Sequence, residues 1–227
     1  MTTFCNLKNR KVFDVVQGRS QSDLLAFLLS LKGRHKVKVV CIDLCTPYRQ
    51  MITRWFPNAK IVADRFHVVR ITQHHFLSFC RKVAPQIKHQ RGLLASLRRN
   101  PENLTDRDHQ RLKELFQNHP VIEELYERQL RLRSLLKLKT LSKHACKGPI
   151  TQLLKLINEL KECGLTAMKT LSQTLQSWIQ EIVRMWRFSR NNGITEGYHR
   201  KMKLIQRRAY GLRNFENYRL RVIAQCG

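Results

Sequence analysis

The stretch from Val37 to His67 reads VKVVCIDLCTPYRQMITRWFPNAKIVADRFH, and its reading decides the fold class. Val37 to Ile42 is a nearly continuous apolar run rich in β-branched residues, the pattern of a strand buried on both faces. It ends at Asp43. Lys60 to Ala63 is a second short buried strand, and it ends at Asp64. Between them, Thr46 and Pro47 open a helix over Tyr48 to Phe56, with threonine as cap and proline at the first helical position.

Working outward toward the N-terminus, Thr2 to Leu7 and Val12 to Val16 are β-prone runs separated by Lys8, Asn9 and Arg10, a spacing that suits a hairpin. After a turn at Gly18, Ser20 or Ser22 caps a helix whose apolar stripe is Leu24, Leu25, Phe27, Leu28 and Leu31. The order strand, strand, helix, strand, helix, strand predicts an α/β fold with a mixed sheet.

Downstream of His67 the strand signals stop. Helical periodicity with heavy Lys/Arg decoration runs to Arg187, with breaks near Asn100-Pro101, His119-Pro120, Gly148-Pro149 and Gly164, which predicts four or five helices. Ile122, Leu125, Gln129, Leu132 and Leu136 make one apolar stripe, with Arg128, Arg131, Arg133 and Lys137 mostly on the other faces. Asn192 to Gly227 reads as helix, a break at Tyr210-Gly211, and helix again.

The composition narrows the function. The chain has 227 residues, 43 Lys plus Arg and 16 Asp plus Glu, a formal charge of +27. An ordinary metabolic enzyme does not carry that excess, and 42% hydrophobic residues in periodic runs exclude a disordered basic tail. The expected partner is a polyanion, nucleic acid first, with binding that weakens steeply as salt rises. No run is long and apolar enough to cross a bilayer and no secretory leader is evident. The seven cysteines (Cys5, Cys41, Cys45, Cys80, Cys146, Cys163 and Cys226) are odd in number and scattered, so reduced thiols in a cytoplasm are expected.

Acids are so scarce that their positions are informative: from Leu24 to Pro101 the only ones are Asp43 and Asp64. Ligands collect at the carboxyl ends of strands in open α/β sheets, so a carboxylate there reaches a site from a rigid mount. The plainer alternative makes Asp43 a helix cap and Asp64 a paired core carboxylate. A third acid, Glu196, opens the helix that continues to Arg208, and Arg200, Lys203 and Arg207 follow at offsets of 4, 7 and 11, all along one face. A first-turn glutamate also simply favours a helix dipole. An acid heading a basic stripe nonetheless suits metal-assisted phosphodiester chemistry. Mg²⁺ prefers hard oxygen ligands, and two ions roughly 4 Å apart can activate a nucleophile and stabilise the leaving oxygen at phosphorus.

Two blocks carry a family resemblance. Val37 to Tyr48 with Phe56 to His67, and Asn192 to Gly197 with Lys203 to Phe215, resemble the core and the ending of the DDE transposases of bacterial insertion sequences, the ISL-three type. The resemblance implies an RNase H-like fold that uses three acids and Mg²⁺ (or Mn²⁺) to cut the ends of the element and join them to target DNA. It implies a split catalytic core over 1–69 and 188–227 around an α-helical insertion over 70–187. Asp43 then matches the second acid and Glu196 the third, both as metal ligands, while Asp64 and His67 support the site. Arg200, Lys203, Arg207, Arg208 and Arg213 become the DNA-binding residues, Lys203 at the offset that contacts the transposon end in related enzymes. A homo-oligomer when full length and a nucleoid-associated, cytoplasmic location are also implied.

The family's first acid stands on a strand ahead of the hairpin, and no residue here matches it; Asp14, on the following strand, is not promoted to the role. The first strand of the RNase H-like sheet is therefore expected to be missing, and this truncated chain alone is expected to bind DNA without catalysing transposition. The rival expectation is a non-catalytic basic DNA-binding protein that regulates a full-length transposase.

Weaker constellations are read as packing. Cys41 and Cys45 with His67 or His35 suggest zinc, but the spacing is not that of a paired site and apolar packing is preferred. His74 and His75 point to different faces of a helix. Trp178, Trp186 and Phe188 pack the insertion, with stacking on a frayed base as the alternative. Leu160 to Leu171 resembles a helix-turn-helix but reads better as a generic helical hairpin.

Overall fold

A computed structural model describes residues 1–188, 193–209 and 211–227, with side chains at 193–196 outside that description. The chain divides into two compact units: Met1–Asp64 with Phe188–Gly227, and Arg65–Arg187. The architecture is α/β with small sheets and a predominance of helix.

The first unit opens with β1 (Thr2–Asn6) and β2 (Lys11–Val16), an antiparallel hairpin. Its turn is stapled by Asn6, whose Oδ1 accepts from the amides of Lys8 at 3.0 Å and Asn9 at 3.2 Å. Phe4 pairs with Asp14 and Cys5 with Val12, which leaves Phe13 as an extra residue. That bulge breaks the period-2 alternation, so Val12 and Val15, three apart, enter the same apolar cluster.

Helix α1 (Gln21–Ser30) starts at a capping box: the Asp23 amide donates to Ser20 Oγ at 3.1 Å, and Asp23 Oδ2 accepts from the amide of Ser20 at 2.9 Å. Gly18 is required ahead of it. Its φ is +86°, and a Cβ there would stand 2.2 Å from Asp23 Oδ2. The buried stripe of α1 is narrower than expected: Leu24 and Leu28 are fully buried, whereas Leu25 is 40% exposed.

After a 3-10 turn at Arg34–Lys36 come β3 (Val39–Ile42), α2 (Thr46–Trp55) and β4 (Lys60–Ala63), the two strands parallel. Cys45 precedes α2 without a side-chain capping bond and Pro47 is its second residue, one position later than expected. Leu24, Leu28, Met51, Ile52, Phe56 and Ile61 form the core here, with Phe4 and Val16 of the hairpin packed against them.

Two expectations are corrected. The mixed sheet is resolved as two separate two-stranded sheets, β1-β2 and β3-β4. Nor is β3 buried on both faces: it begins at Val39 rather than Val37, Val39 is exposed, and the rest are half-buried. The physical reason is that Val40 and Ile42 pack on one apolar cluster, while Val39 and Cys41 alternate to the face which that cluster does not cover.

The second unit is helical: α3 (Arg65–Val83), α4 (Arg91–Ser96), α5 (Asp106–Asn118), α6 (Pro120–Lys137), α7 (Lys147–Glu162), α8 (Thr166–Ser177) and α9 (Ile179–Arg187). Seven α-helices among the described residues replace the four or five expected. One extra break is at Ala84-Pro85, which stops α3. Another is at Trp178, whose buried ring ends α8 without glycine or proline. Gly148 and Pro149 are not a break, since both lie in the first turn of α7.

The α6 stripe of Ile122, Leu125, Gln129, Leu132 and Leu136 is buried throughout. Arg133 is buried too, against expectation, because its guanidinium donates to the Arg99 carbonyl at 3.1 Å and Asn100 Oδ1 at 2.5 Å. Gly164, at φ +74°, turns α7 into α8, and the two helices pack together as a hairpin. Trp178 and Trp186 are buried within this unit.

The chain then returns to the first unit with α10 (Gly193–Arg208) and α11 (Phe215–Cys226). Met202, Ile205, Tyr218, Val222 and Cys226 bury themselves against Val12 and Val15 of the hairpin. Tyr198 donates its hydroxyl to the Arg10 carbonyl at the hairpin turn, and the Lys201 ammonium donates to the Gln225 carbonyl at the end of α11. No helix of the described residues is long and apolar enough to cross a membrane.

Candidate metal centre

Parallel pairing in register brings two acids to one sheet end. Val39 faces Lys60 and Ile42 faces Ala63, so β3 and β4 finish at the same level and their next residues are Asp43 and Asp64. The ladder continues one step further, the Asp64 amide donating to the Ile42 carbonyl at 2.8 Å. The two side chains each offer a carboxylate oxygen, and these lie within 4.8 Å of one another. Asp64 is 2% exposed, whereas Asp43 faces solvent at the mouth of the turn into α2.

This is a hard-oxygen donor pair with one rigid, buried member and one open member. Two ionised carboxylates this close repel, and a divalent cation between them converts the repulsion into binding. Mg²⁺ fits such a pair because it is held by one or two carboxylates and completes its shell with water and substrate phosphate.

Cys41, two residues ahead of Asp43, is not among the residues whose ligand atoms converge here. Burial, then the neighbouring Asp64 and Asp43, push its thiol up to about 12. All seven cysteines are free thiols.

Asp64, read from sequence as a supporting residue, is thus the carboxylate that stands beside Asp43. His67 lies in the first turn of α3, three residues further along the chain, half-buried, its ring 5.4 Å from Phe66 and edge-on to it. Glu196 falls in the first turn of α10, and its side chain is outside the described residues. Asp14 is engaged elsewhere: both its oxygens accept from Arg219 of α11, Oδ1 from Nε at 2.6 Å and Oδ2 from Nη2 at 2.9 Å.

The expected cation stripe is present on α10. Arg200, Lys203 and Arg207 are exposed along one face, opposite the buried Met202 and Ile205, and Arg208 and Arg213 are exposed as well. Sequence reading gave Phe66 no role beyond the supporting motif that it shares with Asp64 and His67 and gave Arg70 none; they carry an exposed ring and a guanidinium 5.8 Å from its centre shortly after Asp64. The signal was available, an apolar residue off the buried stripe of α3, but it is indistinguishable from an ordinary surface phenylalanine without the fold.

Comparison with known proteins decides the family. A family model for ISL3-type DDE transposases, described as transposase, matches residues 1–222. The chain belongs to the ISL3 family of transposases. Among curated proteins, this ISL3-family chain is similar to the transposase for insertion sequence element IS1001 of Bordetella parapertussis, 30% identical over 230 residues. That match covers 95% of the chain and 54% of the relative, so the chain spans about half the length of that transposase. No solved structure matches it.

Proposed function

We propose that this chain is the catalytic part of a DDE transposase, a metal-dependent enzyme that cleaves DNA strands at insertion-sequence ends and transfers them to target DNA. The observation that carries the reading is the Asp43 and Asp64 pair at the end of adjacent parallel strands, in a chain of the ISL3 family. In this reading 1–69 and 188–227 form a split RNase H-like core, and 70–187 is its helical insertion.

Asp43 and Glu196 serve as the catalytic acids that hold Mg²⁺ or Mn²⁺, with Asp64 and His67 completing or orienting the donor set. A bound divalent ion would lower the pKa of the attacking water or hydroxyl and stabilise the oxygen that leaves phosphorus in an in-line displacement. The protein's own contribution is placement. The ladder fixes Asp64 beside Asp43, and the exposed side of Asp43 leaves room for a phosphate oxygen.

Arg200, Lys203, Arg207, Arg208 and Arg213 hold the DNA backbone in this scheme, consistent with the +27 charge. DNA is the partner, a homo-oligomer is the working form of the full-length protein, and a nucleoid-associated, cytoplasmic location follows from the substrate.

Gel-shift and strand-cleavage assays on DNA carrying the element's ends test the reading. Salt-steep binding that tightens with Mn²⁺ in the wild type, and no longer does so in Asp43→Asn or Glu196→Gln, supports the catalytic assignment. Binding indifferent to Mn²⁺ and to both substitutions supports the rival role, a non-catalytic regulator of a full-length transposase.

A further inference from the structure

We propose that Phe66 stacks on an unpaired base at the DNA end, which makes it a positioning residue for that strand; the inference rests on the function proposed above. Among the described residues two large aromatic side chains are substantially exposed, Phe13 and Phe66. Phe13 is the bulge residue of the hairpin, its ring edge-on to Phe27. Phe66 is 47% exposed and is joined to Asp64 by two peptide links. At 3.8 Å per trans link, its Cα lies within about 7.6 Å of the Asp64 Cα whatever else the fold does.

The ring is presented on a fixed mount. The buried face of α3 is made by Val68, Thr72, Phe76, Leu77, Phe79 and Cys80, and Phe66 stands off it. Arg65, at the start of that helix, donates through Nη2 to the Leu138 carbonyl at 2.7 Å, which anchors the turn that carries Phe66. One helical turn on, the Arg70 guanidinium lies 5.8 Å from the ring centre.

An exposed aromatic with a cation beside it is the pair that binds single-stranded nucleic acid, the ring taking the face of a base and the guanidinium a phosphate or a second π-surface. A purely apolar protein partner would not explain the surroundings as well. No Asp or Glu occurs from Arg65 to Pro101, so the segment repels nothing anionic. Of the stacking candidates suggested by sequence, Trp178 and Trp186 are buried, and Phe188 is half-buried with the Lys60 ammonium 5.7 Å from its ring centre, so Phe66 is the more open ring. Stacking is sequence-tolerant, so the role is to hold a frayed end in place rather than to read it.

The test uses the 227-residue chain with two short duplexes, one blunt and one ending in a short single-stranded overhang that carries 2-aminopurine. The expected result is tighter binding of the overhang by the wild type, with quenched 2-aminopurine fluorescence. Phe66→Ala should cost about 5- to 150-fold in overhang affinity and abolish the quenching, while blunt-duplex affinity and the far-ultraviolet dichroism stay unchanged. Phe66→Trp should restore both signals. Retained overhang affinity and quenching in Phe66→Ala, or an equal loss on both duplexes, overturns the stacking and leaves the metal centre untouched. Failure of the wild type to bind either duplex removes the DNA reading itself, and the stacking with it.

Discussion

Arg219 grips Asp14 across 205 residues of chain, Nε to Oδ1 at 2.6 Å and Nη2 to Oδ2 at 2.9 Å, so the last helix is pinned to the hairpin by a two-point ion pair. Glu216 accepts from the same guanidinium at 2.7 Å. These carboxylate bonds, Asp14's first, raise the basicity of Arg219 above the usual arginine value. The pair also keeps Asp14 structural. Arg219→Met should destabilise the chain by about 1–3 kcal/mol in urea unfolding, the range for partly exposed, charge-assisted bonds. An unchanged midpoint would show that α11 is held without help from the ion pair, by its buried residues Tyr218, Val222 and Cys226 and by the Lys201 bond.

Asp108 is expected to make the helical unit sensitive to acid. It is nearly fully buried and accepts from Ser96 Oγ at 2.6 Å, from the Thr105 amide and hydroxyl at 3.1 and 2.9 Å, and from the Arg99 guanidinium. The Ser96 bond, then the Thr105 amide, holds its carboxyl well below the usual carboxylate range. A depressed folded pKa means that the stabilisation is fully present above the unfolded value near 4 and drains away as pH falls below it. Thermal melts should therefore show the wild type losing stability below about pH 4. Asp108→Asn should be less stable at neutral pH, with a flatter acid limb. Identical acid limbs in the two proteins would place the sensitivity elsewhere.

The cation stripe on α10 predicts the salt dependence of DNA binding. If Arg200, Lys203 and Arg207 each contact a phosphate, replacing all three with alanine should reduce the slope of log affinity against log salt by about 3. Met202 and Ile205, on the buried face, keep the helix docked in that variant. A weaker affinity with an unchanged slope would mean that the stripe does not meet the backbone.

Much of this was legible in the chain before any coordinates. The scarcity of acids singled out Asp43 and Asp64, and the apolar runs ahead of them predicted strands, because both signals are local. What was not local was not legible. The proximity of Asp64 to Asp43 is set by the register of β3 on β4, which no spacing reveals. Arg133 reads as a surface cation because the carbonyl that takes its guanidinium, that of Arg99, lies 34 residues away. The break at Trp178, like the stretch 138–146 between α6 and α7, lacks the glycine or proline that marks the others. The bulge at Phe13 shifts the buried face of β2 without any residue that signals it.

The account turns on Asp43 and Asp64 as one metal site, and calorimetric titration of the chain with Mn²⁺ tests that most directly. The wild type should bind Mn²⁺, Asp43→Asn and Asp64→Asn should each lose at least about tenfold in affinity, as expected when an oxygen ligand of a hard cation loses its charge, and Asp14→Asn should bind as the wild type does. Mn²⁺ binding that survives both Asp43→Asn and Asp64→Asn, or that disappears with Asp14→Asn instead, would contradict it.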